Sequence, residues 1–191
     1  MMDRLLSRLD ACPWSAAIGS HLDGAPPRAR PPLYTAEQRA RRDATGWTMV
    51  QGVLAPIQFL IFAVSLALVL RVLLTGQGAA IANASVVVKT CALYAIMVTG
   101  AIWERVVFGR YLFARAFFWE DVFSMLVLAL HSAYLVALAA GALAQPQLMM
   151  LALAAYASYV INATQFVMKL RAARRDEARW PDRAGLLGAA R

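Results

Sequence analysis

The chemically capable residues of this 191-residue chain are polar side chains set inside long apolar stretches. They are the carboxylates Glu104, Glu120 and Asp121, the imidazole of His131, the amides Gln58, Asn162 and Gln165, and the hydroxyls of Tyr94 and Ser124. Such groups are costly at membrane depth, so they face a bundle interior or a water-filled cavity and mark a place where something binds or passes. At about 100° per residue they fall into stripes. Trp47, Gln51, Leu54, Gln58 and Ser65 share one stripe, with Pro56 among them predicting a kink. Glu120, Ser124, Val127, His131 and Tyr134 share another, and Ser158, Asn162, Gln165 and Lys169 a third. Thr90, Tyr94, Met97, Ala101 and Glu104 make a weaker fourth. Stripes on four segments point to one shared interior, and so to a ligand site.

The elements that must carry these stripes follow from composition. A chain with 61% hydrophobic residues has more apolar side chains than a soluble core of its size can hide. No acidic residue occurs between Asp43 and Glu104, nor between Asp121 and Asp176. Spanning a hydrocarbon core takes roughly 20 apolar residues at about 1.5 Å per residue. Four windows qualify: about 47–74, 80–103, 117–140 and 146–168. None alternates as a barrel strand does, and lipid offers backbone polar groups no partner, so all must be helices. The fold class is an all-α membrane protein, a four-transmembrane-helix bundle.

Orientation follows from Lys and Arg in the flanks. Seven precede the first window, including Arg39, Arg41 and Arg42, and the next connection has only Arg71. The third flank carries Arg105, Arg110 and Arg115, the fourth none, and seven more begin at Lys169. Both termini are therefore expected in the cytoplasm (N-in/C-in). The net charge of +8 is accounted for by these flanks, so the bilayer is the expected partner and nucleic acid is not. Residues 1–32, with Pro26, Pro27, Pro31 and Pro32, read as a flexible tail rather than a signal peptide. The transmembrane domain is expected over 33–170, and 171–191 as a basic cytoplasmic tail, in part a short frayed helix. Because the helices alternate in direction, Gln51, Gln58, Glu104, Glu120, Asp121, Asn162 and Gln165 map to the cytoplasmic half. His131 lies about 16 Å deeper than Glu120.

Several functions are excluded. Haem held by two imidazoles needs two histidines in the membrane, and His21 lies in the tail. Proton-coupled export calls for a carboxylate deep in a span, whereas every acid here sits at an edge. Zinc spacing, a phosphate-binding glycine loop, a nucleophile elbow and a cysteine framework are all missing. A site for a ligand entering from the inner leaflet remains. Each residue also has a plainer reading. Glu104 with Arg105 suits a helix end, and Glu120 with Asp121 suits a helix N-terminus, although the aromatic belt Phe117-Phe118-Trp119 places them at the hydrocarbon edge. Lys89 either snorkels outward or pairs inside. His131 also suits a hydrogen bond to a neighbouring helix, and Tyr156 and Tyr159 suit packing.

Longer blocks carry a family resemblance. They include Tyr34-Thr35-Ala36-Glu37-Gln38-Arg39, Trp47-Thr48-Met49-Val50-Gln51-Gly52, and the run from Tyr94 to Glu104. Val107-Phe108-Gly109-Arg110-Tyr111-Leu112-Phe113, the run from Phe117 to His131, and Tyr159-Val160-Ile161-Asn162-Ala163-Thr164-Gln165-Phe166 complete the set. From about Leu33 to Arg175 the chain resembles the 3-vinyl bacteriochlorophyllide hydratase family, with residues 1–32 extending beyond its usual start. The resemblance implies addition of water to the 3-vinyl group of a chlorophyllide-type tetrapyrrole, with no cofactor beyond the magnesium the substrate carries. It also implies a bacterial inner membrane; for the chemistry, the residues' own setting makes Glu120 or Asp121 the expected proton donor and Glu104 or the other acid the group orienting water. His131 would ligate the substrate's magnesium, and Gln58, Tyr94, Ser124, Asn162 and Gln165 would line the substrate site. A ring too large for four short helices to enclose would lie partly in lipid or at a homodimer interface, and pathway enzymes are further candidate partners. The other readings are a non-catalytic pigment-binding or assembly protein, and a small transporter using Lys89.

Overall fold

A computed structural model describes residues 33–179, all of whose regular structure is helical. The expected tail over 1–32 and the end of the basic tail, 180–191, lie outside the described residues. Five helices follow one another: α1 (Ala36–Ala44), α2 (Gly46–Thr75), α3 (Ala79–Phe108), α4 (Phe118–Ala140) and α5 (Gln145–Arg179).

The short α1 starts at a capping box in which Thr35 Oγ1 accepts the Gln38 amide and Gln38 Oε1 accepts that of Thr35, at 3.2 and 2.9 Å. It packs against α3. The other four helices are long and apolar enough to cross a bilayer. They fall on the windows expected from hydropathy but overrun two of them. α3 continues through Glu104 and Arg105 to a left-handed cap at Gly109, because charged residues with good helix propensity extend a helix beyond the hydrocarbon. For the same reason α5 runs unbroken to Arg179 where a short frayed helix is expected. α2 passes through Pro56 without interruption.

Neighbouring helices pack as two antiparallel hairpins, α2 with α3 and α4 with α5, which meet through α2–α5 and α3–α4 contacts. The short connections 76–78 and 141–144 leave their helices through Gly76 and Gly141 at positive φ, which only glycine adopts without strain. Polar side chains stitch the hairpins together. Ser65 Oγ lies 2.6 Å from Tyr156 Oη, and Asn83 Oδ1 accepts from both Tyr134 Oη and Gln145 Nε2 at 2.9 and 3.2 Å. The outer surface is the opposite in character: Phe59, Leu60, Leu74 and Val136 are all more than half exposed. Apolar side chains outside and polar side chains within define a multi-pass membrane protein, since only hydrocarbon accommodates such an exterior.

Candidate active site

The acids converge at the α3–α4 end of the bundle. Glu104, on the last turns of α3, and Asp121, in the first turn of α4, are both buried, and their carboxyl groups are neighbours beneath consecutive loop residues. A hydrogen bond between two carboxyls exists only when one of them carries the proton. The loop between these helices folds back over the pair. The Phe113 amide donates to Asp121 Oδ2 at 2.6 Å and the Ala114 amide to Glu104 Oε2 at 3.3 Å. To aim consecutive amides the same way, Phe113 takes φ 58°, a left-handed conformation unusual for a bulky residue. Backbone strain of this kind, about 1–3 kcal/mol, persists where surrounding contacts enforce it.

Glu120, one residue before Asp121, is fully buried but faces α5, where Lys169 Nζ donates to its Oε2 at 2.6 Å. Lys169 also stands 5.1 Å above the Phe117 ring. Phe117 itself is enclosed by Phe166, Trp103 and Phe108 at centroid distances of 5.8, 5.7 and 5.8 Å. This aromatic box shields the ion pair from water, and the second oxygen, Oε1, has no protein partner. Glu120 is thus an ion-paired acid, set apart from the Glu104–Asp121 pair under the loop amides.

Further in, polar groups from all four long helices are buried with unmatched atoms: Gln58 Nε2, Lys89 Nζ, His131 Nε2, Asn162 Oδ1 and both polar side-chain atoms of Gln165. Buried polar atoms without partners are rare in native folds and call for an explanation. Asn162 Nδ2 donates to Ser124 Oγ at 2.8 Å, which orients the amide. The Val127 carbonyl, an acceptor only, holds His131 Nδ1 at 2.8 Å, so Nδ1 carries the hydrogen and Nε2 of the neutral ring presents a lone pair. His131 lies 5.8 Å from the Tyr156 ring, and Tyr156 also walls an outward-facing apolar groove of about 410 Å³ with Phe62, Leu66 and Val160.

Of the residues singled out in the sequence, Glu104, Glu120, Asp121, Gln58, Ser124, His131, Asn162 and Gln165 are all buried in the bundle. Tyr94 is not among them. It is over a third exposed and hydrogen-bonds Ser132 at 2.7 Å near the surface, because its weaker stripe turns out of the interior. Lys89 does not snorkel outward, but is fully buried with its ammonium 3.8 Å from the Tyr159 ring. Sequence reasoning placed Lys169 on the inner stripe without pairing it to Glu120, and it missed the loop amides altogether. Among the described residues no group of three His, Cys, Asp or Glu side chains is arranged to hold a metal ion.

Fold and site together define an all-helical, multi-pass membrane protein with a carboxyl pair latched under a loop and a line of unmatched polar groups behind it. Residues 34–172 match the family model of 2-vinyl bacteriochlorophyllide hydratase (BCHF), and the chain belongs to that family. The vinyl group numbered 3 in the resemblance above carries the number 2 in this description. A 2-vinyl bacteriochlorophyllide hydratase from Cereibacter sphaeroides is 68% identical over 146 residues, covering 75% of this chain and 89% of the relative. Another of that name, from Rhodobacter capsulatus, is 65% identical over 146 residues, covering 76% of this chain and 85% of the relative. No solved structure matches the chain.

Proposed function

We propose that this protein adds water to the vinyl group of a chlorophyllide-type pigment, giving a 1-hydroxyethyl substituent in bacteriochlorophyll biosynthesis. It is then a hydro-lyase acting at the membrane, as the names of its relatives say of them. The observation that carries the mechanism is the pair of buried carboxyls, Glu104 and Asp121, under the consecutive amides of Phe113 and Ala114, a pair we read as sharing one proton. The shared proton passes to the terminal vinyl carbon, and the positive charge appears on the inner carbon, where the macrocycle delocalises it. The Phe113 and Ala114 amides are already in place to stabilise the carboxylate left behind. Water adds to the inner carbon and gives up a proton to the pair, which returns to its starting state. Vinyl plus water equals hydroxyethyl, so the reaction balances without a cofactor from the protein.

Of the two donors the sequence suggests, Asp121 fits and Glu120 does not, since Glu120 is held as the partner of Lys169. Glu120 and Lys169 instead fix the end of α4 against α5. His131, whose Nε2 has no protein partner and whose ring lies 5.8 Å from that of Tyr156, would hold the substrate's magnesium. Gln58, Asn162, Ser124 and Gln165 line the interior between that level and the acids. The ring lies partly in lipid along the groove, with its vinyl edge toward the carboxyl pair. Both termini face the cytoplasm and the membrane is the bacterial inner membrane, a reading supported by the bias of Arg and Lys to the odd-numbered flanks.

The test is expression of the full chain in a host lacking the pigment pathway, with added vinyl chlorophyllide and the product identified by mass. A product heavier by one water supports the reading. Unchanged pigment, with the protein present in the membrane and binding it, overturns it in favour of a non-catalytic pigment carrier.

A further inference from the structure

Lys89 has no part in the chemistry just described, yet its setting is the most costly in the molecule. It is the eleventh residue of α3, so its backbone lies about 15 Å from the helix start, near mid-bilayer. Its side chain is fully buried, its ammonium has no hydrogen-bond partner, and no carboxylate among the described residues pairs with it. The Tyr159 ring face at 3.8 Å is the one favourable contact. An unbranched apolar side chain of similar length would fill the same space without that cost. A buried cation with no counter-charge among the described residues suits an anion brought by a ligand.

The proposed substrate carries such an anion. A chlorophyllide differs from the corresponding chlorophyll in ending a ring side chain as a free propionate instead of a long-chain ester. We infer that Lys89 is the receptor for that propionate, and therefore the residue that makes the protein select the free-acid pigment over its ester. The inference rests on the chlorophyllide reading above.

The spacing is compatible with it. Tyr159, which marks the level of the ammonium, precedes Lys169, which marks the level of the acids, by ten residues on α5, or about 15 Å of helix. The vinyl and propionate substituents sit on neighbouring pyrrole rings, at the far positions of each, so they diverge, and one bound ring with its propionate chain extended reaches the carboxyl pair with the first and Lys89 with the second. With the cation paired and the Tyr159 face beside it, the propionate sits where no water competes for it.

The experiment uses the full chain in lipid nanodiscs and two probes, vinyl chlorophyllide and its propionate methyl ester, with binding read from the pigment's absorption shift. Wild type should bind the free acid about tenfold or more tighter than the ester, given what an unmatched buried charge costs. Lys89→Met should bind both with the affinity of the ester, and Lys89→Arg should keep most of the preference. Equal affinity of wild type for acid and ester overturns the inference without any variant. So does a Lys89→Met protein that keeps the preference. Oleate, a carboxylate of lipid origin, should not displace the free-acid pigment at equal concentration; displacement that depends on Lys89, with an acid-to-ester ratio near one, assigns the site to lipid instead. Binding is read without turnover, so loss of hydration with the preference intact overturns the hydratase reading alone.

Discussion

Replacing Asp121 by asparagine separates the chemical work of this side chain from its structural work. In the wild type Asp121 Oδ2 accepts the Phe113 amide at 2.6 Å and contacts Glu104. Asparagine keeps an acceptor for the amide but has no acidic proton. The stability loss should then be the difference between a hydrogen bond to a charged and to a neutral acceptor, about 1 kcal/mol. The catalytic loss should be that of a general acid, about 10²- to 10⁴-fold in rate, or about 3–5 kcal/mol of barrier. Asp121→Ala removes the acceptor of the part-buried Phe113 amide, at about 1–3 kcal/mol for a bond to a charged group, and releases the clamp on Phe113, so stability and rate fall together. Hydration is measured as hydroxyethyl pigment formed per protein in nanodiscs, and stability by unfolding in graded sodium dodecyl sulfate. Glu104→Gln should match Asp121→Asn in rate, and the double variant should be little worse than either, since the two act as a unit. If Asp121→Asn turns over within threefold of wild type, the pair is a loop latch only and the proposed proton donor is wrong.

Lys169→Met should strand the buried Glu120 carboxylate and destabilise the bundle by about 3–5 kcal/mol, with much of that recovered in Lys169→Met combined with Glu120→Gln. The detergent unfolding midpoint reads both, and no recovery in the double variant would show that the ion pair is not what holds α4 to α5. His131→Ala should bind pigment with its long-wavelength absorption band displaced from that of the wild-type complex, reporting loss of an axial nitrogen. A band that does not move rules out the magnesium role. Alkaline phosphatase fused after Arg191 should be inactive and a fusion in the 141–144 connection active, as expected for cytoplasmic termini; the reverse pattern inverts the topology.

The bundle was readable from sequence because a membrane imposes one strong condition. Acid-free runs such as 44–103 satisfy it, and that one yields two apolar helices, α2 and α3. Burial of Gln58, Glu104, Asp121, His131 and Gln165 follows from the same condition, since lipid repels them to the inside. Which inward groups meet is decided by rotamers and loop path, which stripes do not encode. Glu120 and Asp121 are adjacent in sequence yet turn to different neighbours, Lys169 on α5 and Glu104 on α3. Tyr94 shows the limit of periodicity, for a weak stripe put it inside and packing put it at the surface. Helix α1 was signalled by Thr35 and Gln38 at capping-box spacing, but nine residues make too short a window for hydropathy to find. The Phe113 and Ala114 amides left no trace at all, because a backbone N–H belongs to every residue alike and only its direction matters.

The loop over the carboxyl pair ties reaction to motion. Its two amides grip more firmly when the acids beneath them are negative than when they share a proton. In the proposed mechanism, handing the proton to substrate would therefore tighten the cover at the moment a carbocation needs shelter from stray nucleophiles, and regaining it would slacken the cover once the alcohol is made. Product departure would be timed by the same proton that began the cycle, with no separate signal from the rest of the protein.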